Sequence, residues 1–196
     1  MNSDLRSAIR PSLVMLLLFT VLTGLAYPAV VLGIGQLLFP RQANGSLIRN
    51  GDKIIGSELI GQGFASARYF HGRPSAAGKG YDAASSGGSN LGPTSKALVD
   101  RVRGDVKAAR ADGLAGDVPG DMVTASASGL DPHISPASAL AQVARVAKAR
   151  GIADVKVTEL VDQAVQTPLA GILGEPRVNV LLLNRQLDQL GAKPAG

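Results

Sequence analysis

Two histidines, scattered serines and one glycine-rich run are the residues of this chain best suited to chemistry. There is no cysteine. That excludes a disulfide framework, a thiol nucleophile and thiolate metal sites. Asp131-Pro132-His133 has no second histidine or cysteine beside it, whereas zinc needs three or four convergent ligands. A triad of Ser86, His133 and Asp131 can be written down, but no Gly-x-Ser-x-Gly elbow presents a nucleophile. Asp131 two residues before His133 suits a tight turn, closed by hydrogen bonds from these side chains. No catalytic residue and no metal site is expected.

The run Ser86-Gly87-Gly88-Ser89-Asn90 is more suggestive. Consecutive glycines expose backbone N–H groups that can cradle phosphate oxygens. The chain nevertheless has no Gly-x-x-x-x-Gly-Lys-Ser/Thr loop, so it is not expected to hydrolyse ATP by itself. These five residues are a weak candidate nucleotide-binding loop. The competing reading is a surface loop shaped to fit a partner.

Something must position these residues. The chain has 196 residues, 45% apolar and 18% charged, with a net charge of +5. This is too apolar for a disordered chain. With no tryptophan, three tyrosines and four phenylalanines, it offers little surface for stacking bases. Nucleic acid is not an expected partner.

The apolar residues are concentrated near the start. The 30 residues between Arg10 and Arg41 carry no charge. Within them, Leu13 to Leu32 hold seven Leu, four Val and one Phe, which supply about −4 to −7 kcal/mol on the insertion scale. Twenty helical residues span about 30 Å, the thickness of the hydrocarbon core. The expected organisation is a stub at 1–10, a transmembrane helix at 11–35 and a soluble domain at 36–196. A cleaved signal peptide is the rival, with Arg6 and Arg10 as its basic start and Gly24-Leu25-Ala26 as its cut. The apolar run, however, continues to Phe39. Flanking charges do not decide orientation, because Arg41, Arg49 and Lys53 offset Arg6 and Arg10; long domains can cross regardless of charge, and the ten-residue stub is the simpler part to keep in the cytoplasm.

Pro28 has no N–H, so in a straight α-helix the Gly24 carbonyl loses its partner. Thr20 with Gly24, and Ala29 with Gly33, form small-xxx-small pairs. Nine residues separate the pairs, which places them on opposite sides of a straight helix. Thr20, Gly24, Pro28, Ala29 and Gly33 are the expected partner-packing positions in the membrane.

Beyond the helix the net charge is +4. Leu47-Ile48, Asn50-Gly51 and Lys53-Ile54-Ile55 predict a hairpin with a type I′ turn. Residues 71–93 hold six Gly, two Pro and four Ser, which predicts a long loop. Leu98, Val99, Val102 and Val106 predict a helix after a cap at Thr94 or Ser95. Ser135-Pro136 opens a second helix, continuous through Leu140 and Val143 to Arg150 and ended by Gly151. Val157, Leu160, Val161, Ala164 and Val165 predict a third. Val178–Leu183 reads as a buried strand, and Asn184–Leu190 as a short closing helix. The fold class is α+β, one N-terminal transmembrane helix followed by a single mixed α/β extracytoplasmic domain.

Several segments carry a resemblance in this order: Thr23-Gly24-Leu25-Ala26-Tyr27-Pro28, Phe39-Pro40-Arg41-Gln42-Ala43-Asn44-Gly45-Ser46-Leu47, Gly56-Ser57-Glu58-Leu59-Ile60-Gly61-Gln62, Tyr69-Phe70-His71-Gly72-Arg73-Pro74-Ser75, Ser86-Gly87-Gly88-Ser89-Asn90-Leu91-Gly92-Pro93, Val123-Thr124-Ala125-Ser126, Ser128-Gly129-Leu130-Asp131-Pro132-His133-Ile134-Ser135, and Gly174-Glu175-Pro176-Arg177-Val178-Asn179-Val180-Leu181 with Leu183-Asn184. Together they resemble the C subunits (KdpC) of the Kdp potassium-transporting P-type ATPase, along almost the whole chain. The resemblance implies a non-catalytic subunit of an ATP-driven, high-affinity potassium importer in the cell inner membrane. Its implied partners are the P-type ATPase subunit (KdpB) and the potassium-translocating subunit (KdpA). It also implies a part in assembly and a catalytic-chaperone role that raises the ATPase subunit's affinity for ATP. With the domain outside, that effect would be indirect. The chain itself lacks the Asp-Lys-Thr-Gly phosphorylation motif. The alternative is an anchored or secreted hydrolase or binding protein with its site in the 71–93 loop.

Overall fold

The computed structural model describes residues 2–114, 116–168 and 171–191. The last five residues of the expected 36–196 domain therefore lie outside the described residues. The chain divides into two units, 1–47 and 48–196.

The first unit is helical. Helix α1 (Asn2–Val21) runs through a π-helical turn at Leu22–Ala26 into α2 (Tyr27–Leu38). The helix thus extends past both ends of the 11–35 span. Within the 33-residue stretch Arg6–Leu38, an 18-residue window reaches a mean hydropathy of 2.2, and none of that window is buried. At about 1.5 Å per residue the stretch is long enough to cross a bilayer with residues to spare. A short helix α3 (Pro40–Ala43) follows. Asn44 ties it back by donating to Gln36 Oε1 at 3.0 Å and to the Pro40 carbonyl at 2.6 Å.

The π turn sits where proline disturbs the hydrogen-bond ladder. Tyr27 N–H reaches back five residues to the Leu22 carbonyl, the bonding of a π-bulge. One extra residue in a turn sets later side chains back by about 100°. Thr20 and Ala29, opposite on a straight helix, therefore swing toward a common side. The opposite-face placement holds for a straight α-helix, which the π turn interrupts beside Pro28.

The hairpin β1 (Leu47–Asn50) and β2 (Lys53–Ser57) starts at the last residue of the first unit and otherwise lies in the second. Its two linking residues are Gly51 and Asp52, and only Gly51 takes positive φ, at 58°. The expected type I′ turn on Asn50-Gly51 needs positive φ at both central residues, and it does not form. Residues 71–93 contain one 3₁₀ turn at Ala83–Ser85 and are otherwise loop, as expected. Helix α4 (Lys96–Ala111) follows Ser95, whose side chain makes no cap hydrogen bond.

The rest packs around a small antiparallel sheet, β3 (His133–Ile134), β4 (Val165–Gln166) and β5 (Arg177–Asn179), with β5 in the centre. Ile134 and Val165 both pair with Val178. Helices α5 (Pro136–Ala141), α6 (Val143–Arg150), α7 (Asp154–Ala164) and α8 (Val180–Gly191) cover it. The core joins Phe70 and Ile134 to Val146, Val157, Val161, Val178, Leu183 and Leu187.

Two expectations are corrected here. The strand ends at Asn179, not Leu183. Asn179 Oδ1 accepts from Leu182 N–H at 3.1 Å, an N-cap bond that starts α8 four residues before Asn184. The helix from Ser135 is also not continuous, because it is interrupted at Gln142. Its start and end do follow expectation. Ser135 Oγ accepts from Ser138 N–H, and Gly151 closes α6 with φ 69°.

Candidate functional site

Five of the segments that carry the resemblance converge in the second unit, and two side-chain amides anchor one of them, Tyr69–Ser75. Asn184 is 2% exposed. Its Oδ1 accepts from Phe70 N–H at 2.8 Å, and its Nδ2 donates to Phe70 C=O at 2.9 Å. Gln142 does the same one residue on. Its Oε1 accepts from His71 N–H at 2.8 Å, and its Nε2 donates to His71 C=O at 3.1 Å. Two amides from α8 and the α5–α6 break thus take the place of a neighbouring strand for Phe70-His71. This satisfies backbone groups that burial would otherwise leave costly.

From this anchor the 71–93 loop is pinned at successive points. Arg73 Nη1 lies 3.2 Å from Asp131 Oδ2, and its Nε donates to Thr124 C=O at 3.3 Å. Tyr81, at φ 56°, donates its hydroxyl to Arg73 C=O at 2.6 Å. Ser75 Oγ donates to Gly129 C=O at 2.6 Å and accepts from Tyr81 N–H at 2.8 Å. Gly129, at φ 66°, sits where a Cβ would lie 2.6 Å from Ala77 N and 2.7 Å from Gly87 O.

The glycine-rich run lies against residues 126–129. Gly87 N–H donates to Ser128 C=O at 2.9 Å, and Ser86 Oγ donates to the same carbonyl at 3.0 Å. A Cβ on Gly88 would come within 3.1 Å of Ala127 O. The first glycine N–H proposed for phosphate is therefore already engaged. Asn90 closes the run at φ 51°. Ser89 is half-buried and Asn90 exposed.

Asp131 and His133 form the expected turn. Asp131 Oδ1 accepts from His133 N–H at 3.0 Å, and His133 Nδ1 lies 3.5 Å from the same oxygen. Ser86 Oγ is committed to Ser128, so these residues are not arranged as a triad.

Asp121 was not singled out in the sequence. It accepts from Ser135 N–H at 2.6 Å, from Ser135 Oγ at 3.1 Å and from Ser138 Oγ, holding the start of α5. Burial would raise the Asp121 carboxyl, but its bonds from Ser135 and Ser138 outweigh that and hold it below the usual range. Asp131 behaves alike: burial opposes, while bonds from His133 and the nearby Arg73 charge prevail. A lowered native pKa contributes stability that is present above the ordinary value of 3.8 and lost as pH falls through the native value. The share of the urea midpoint that these two carboxylates supply should hold from neutrality to about pH 5 and drop below about pH 4, beneath a separate decline that the lowered His71 pKa begins below its ordinary 6.5. Asp121→Asn should flatten that drop. An unchanged acid limb would contradict this assignment.

In the first unit, Thr20 Oγ1 donates to Leu16 C=O at 2.7 Å and Thr23 Oγ1 to Phe19 C=O at 2.6 Å. A Cβ at Gly24 or Gly33 meets nothing within 4 Å. Pro28 and Ala29, next to the π turn, are exposed. All five expected packing positions thus lie on a bare apolar helix.

Fold and site together define a class: a mixed α/β domain, held by amide and carboxylate clamps on its own backbone, with one helix among the described residues long and apolar enough to span a membrane. The family model described as "KdpC: K+-transporting ATPase, c chain" matches residues 9–189, and the chain belongs to that family. Relatives named potassium-transporting ATPase KdpC subunit include one from Caulobacter vibrioides, 58% identical over 93% of both chains. One from Rhodopseudomonas palustris is 54% identical over 92% of this chain and 96% of its own. One from Myxococcus xanthus is 57% identical over 86% of this chain and 82% of its own.

Proposed function

We propose that this chain is a non-catalytic accessory subunit of an ATP-driven potassium import complex. The observation that carries the reading is the family match along residues 9–189. In this reading the helix lies in the cell inner membrane beside the P-type ATPase subunit (KdpB) and the potassium-translocating subunit (KdpA). The domain stands outside, braces the translocating subunit and supports assembly. The chain acts as a catalytic chaperone that raises the ATPase subunit's affinity for ATP. ATP lies on the far side of about 30 Å of hydrocarbon, so that effect works through the partner's conformational equilibrium. Engagement of Gly87 N–H by Ser128 favours this indirect route over nucleotide binding at residues 86–90.

Gly24→Leu and Gly33→Leu test the helix contact. Neither substitution meets an obstacle within the chain itself, so any effect reports a neighbour. Each should reduce the amount of this chain recovered with a tagged ATPase subunit, and the double variant should lose most of it. Full recovery with normal transport would refute docking through these glycines.

A further inference from the structure

The π turn at Leu22–Ala26 leaves a backbone carbonyl without a donor in the middle of the apolar helix. Tyr27 N–H donates to Leu22 C=O, five residues back, and to no other acceptor. The Thr23 carbonyl therefore loses its α-helical donor. The donor that a π turn would offer instead is at position 28, where Pro28 has no N–H. Neither bonding pattern serves the Thr23 carbonyl from its own helix. The nearest hydroxyls are spent as well, because Thr20 donates to Leu16 C=O and Thr23 to Phe19 C=O.

One turn on, Tyr27 adds a second polar group. Its side chain is 66% exposed, and its hydroxyl has no hydrogen-bond partner among the described residues. A phenol has one proton to give. Beside these two groups Gly24 leaves the backbone bare, since a Cβ there would meet nothing within 4 Å. A neighbouring helix can therefore approach closely.

Depth makes both groups costly. Arg10 and Arg41 are the nearest charges on either side. At about 1.5 Å per residue, Thr23 and Tyr27 both fall within about 4 Å of the midpoint between them. That is deep inside a hydrocarbon core about 30 Å thick. Water and lipid headgroups are out of reach there, and lipid tails offer no donor.

Resting on the reading that this helix docks beside membrane subunits, we propose that Thr23 C=O and Tyr27 O–H form one docking point for a neutral polar side chain, amide or hydroxyl, on a transmembrane helix of a partner subunit. That side chain donates to the carbonyl and accepts from the phenol. An ionised carboxylate has no proton for the carbonyl, and an ammonium or guanidinium has no lone pair for the phenol.

Thr23-Gly24 is the only Thr-Gly pair in the chain, so carbonyl-¹³C threonine with ¹⁵N glycine labels one peptide bond. Its carbonyl resonance is read in the full chain alone and in the complex purified on a tagged ATPase subunit, both in the same detergent. It should move downfield in the complex, as a carbonyl does on accepting a hydrogen bond. Pro28→Ala returns an N–H to the turn and should move it downfield in the chain alone. Tyr27→Phe should lower recovery with the tagged subunit about threefold, as expected for one hydrogen bond between membrane helices. A carbonyl already downfield in the isolated chain, served by its own helix or by a second copy, would overturn the proposal. So would a carbonyl unmoved by the complex or by Pro28→Ala, or full recovery of Tyr27→Phe. Those results leave the accessory-subunit reading standing, whereas a chain absent from the complex would overturn both.

Discussion

Replacing Asn184 by alanine is expected to destabilise the domain by about 3–5 kcal/mol. The side chain is 2% exposed, and Phe70, whose backbone it serves, is fully buried. Alanine strands one N–H and one C=O at Phe70. Each orphaned buried group costs about 1–3 kcal/mol, and the lost volume adds to that. Urea unfolding of the full chain in micelles measures the loss. A change below about 1 kcal/mol would show that water replaces the amide, and that Phe70-His71 is not held as described.

Gly129→Ala is the second large effect, about 2–5 kcal/mol. Left-handed backbone costs an alanine about 1–2 kcal/mol. The new methyl group also meets Ala77 N, Gly87 O and Ala77 Cβ, all within 3 Å, and overpacking of this kind costs about 1–3 kcal/mol. Gly113→Ala is the control, because Gly113 has φ 92° but open space around it. It should show the backbone cost alone. Only the Gly129 variant should also open the 71–93 loop to limited proteolysis, since only that site wedges the loop from residues 126–129. Equal losses and equal proteolysis would mean that steric contact contributes nothing there.

Features written in neighbouring residues were legible in the sequence. Ser135-Pro136 started α5, Gly151 ended α6, and Val157 with Val161 marked the buried face of α7. The Asp131–His133 turn was legible for the same reason, since its bond spans two residues. What escaped depends on distant partners. Val178–Leu183 is an unbroken apolar run apart from Asn179, and periodicity alone cannot tell a buried strand from a buried helix. Asn179 decides it by capping α8 while donating to the Glu58 carbonyl at 2.8 Å. With the helix starting at Val180, Asn184 falls on the buried stripe with Leu183 and Leu187. A polar residue on such a stripe is a legible sign of a buried partner, but only once the helix start is right. Gln142, Arg73 and Asp121 carry no local sign, because their partners lie many residues away. In the N-terminal apolar helix, small residues and Pro28 were visible, whereas the π turn that rotates them was not.

In the proposed role this chain serves a potassium-transporting ATPase without hydrolysing ATP itself. Potassium-dependent ATP hydrolysis tests it most directly, measured across ATP concentrations on the tagged complex with this chain, on the complex without it, and on this chain alone. The expected result is no hydrolysis by the chain alone, and half-maximal activity at a lower ATP concentration when the chain is present. Hydrolysis by the isolated chain, or identical ATP dependence with and without it, would refute the proposed role.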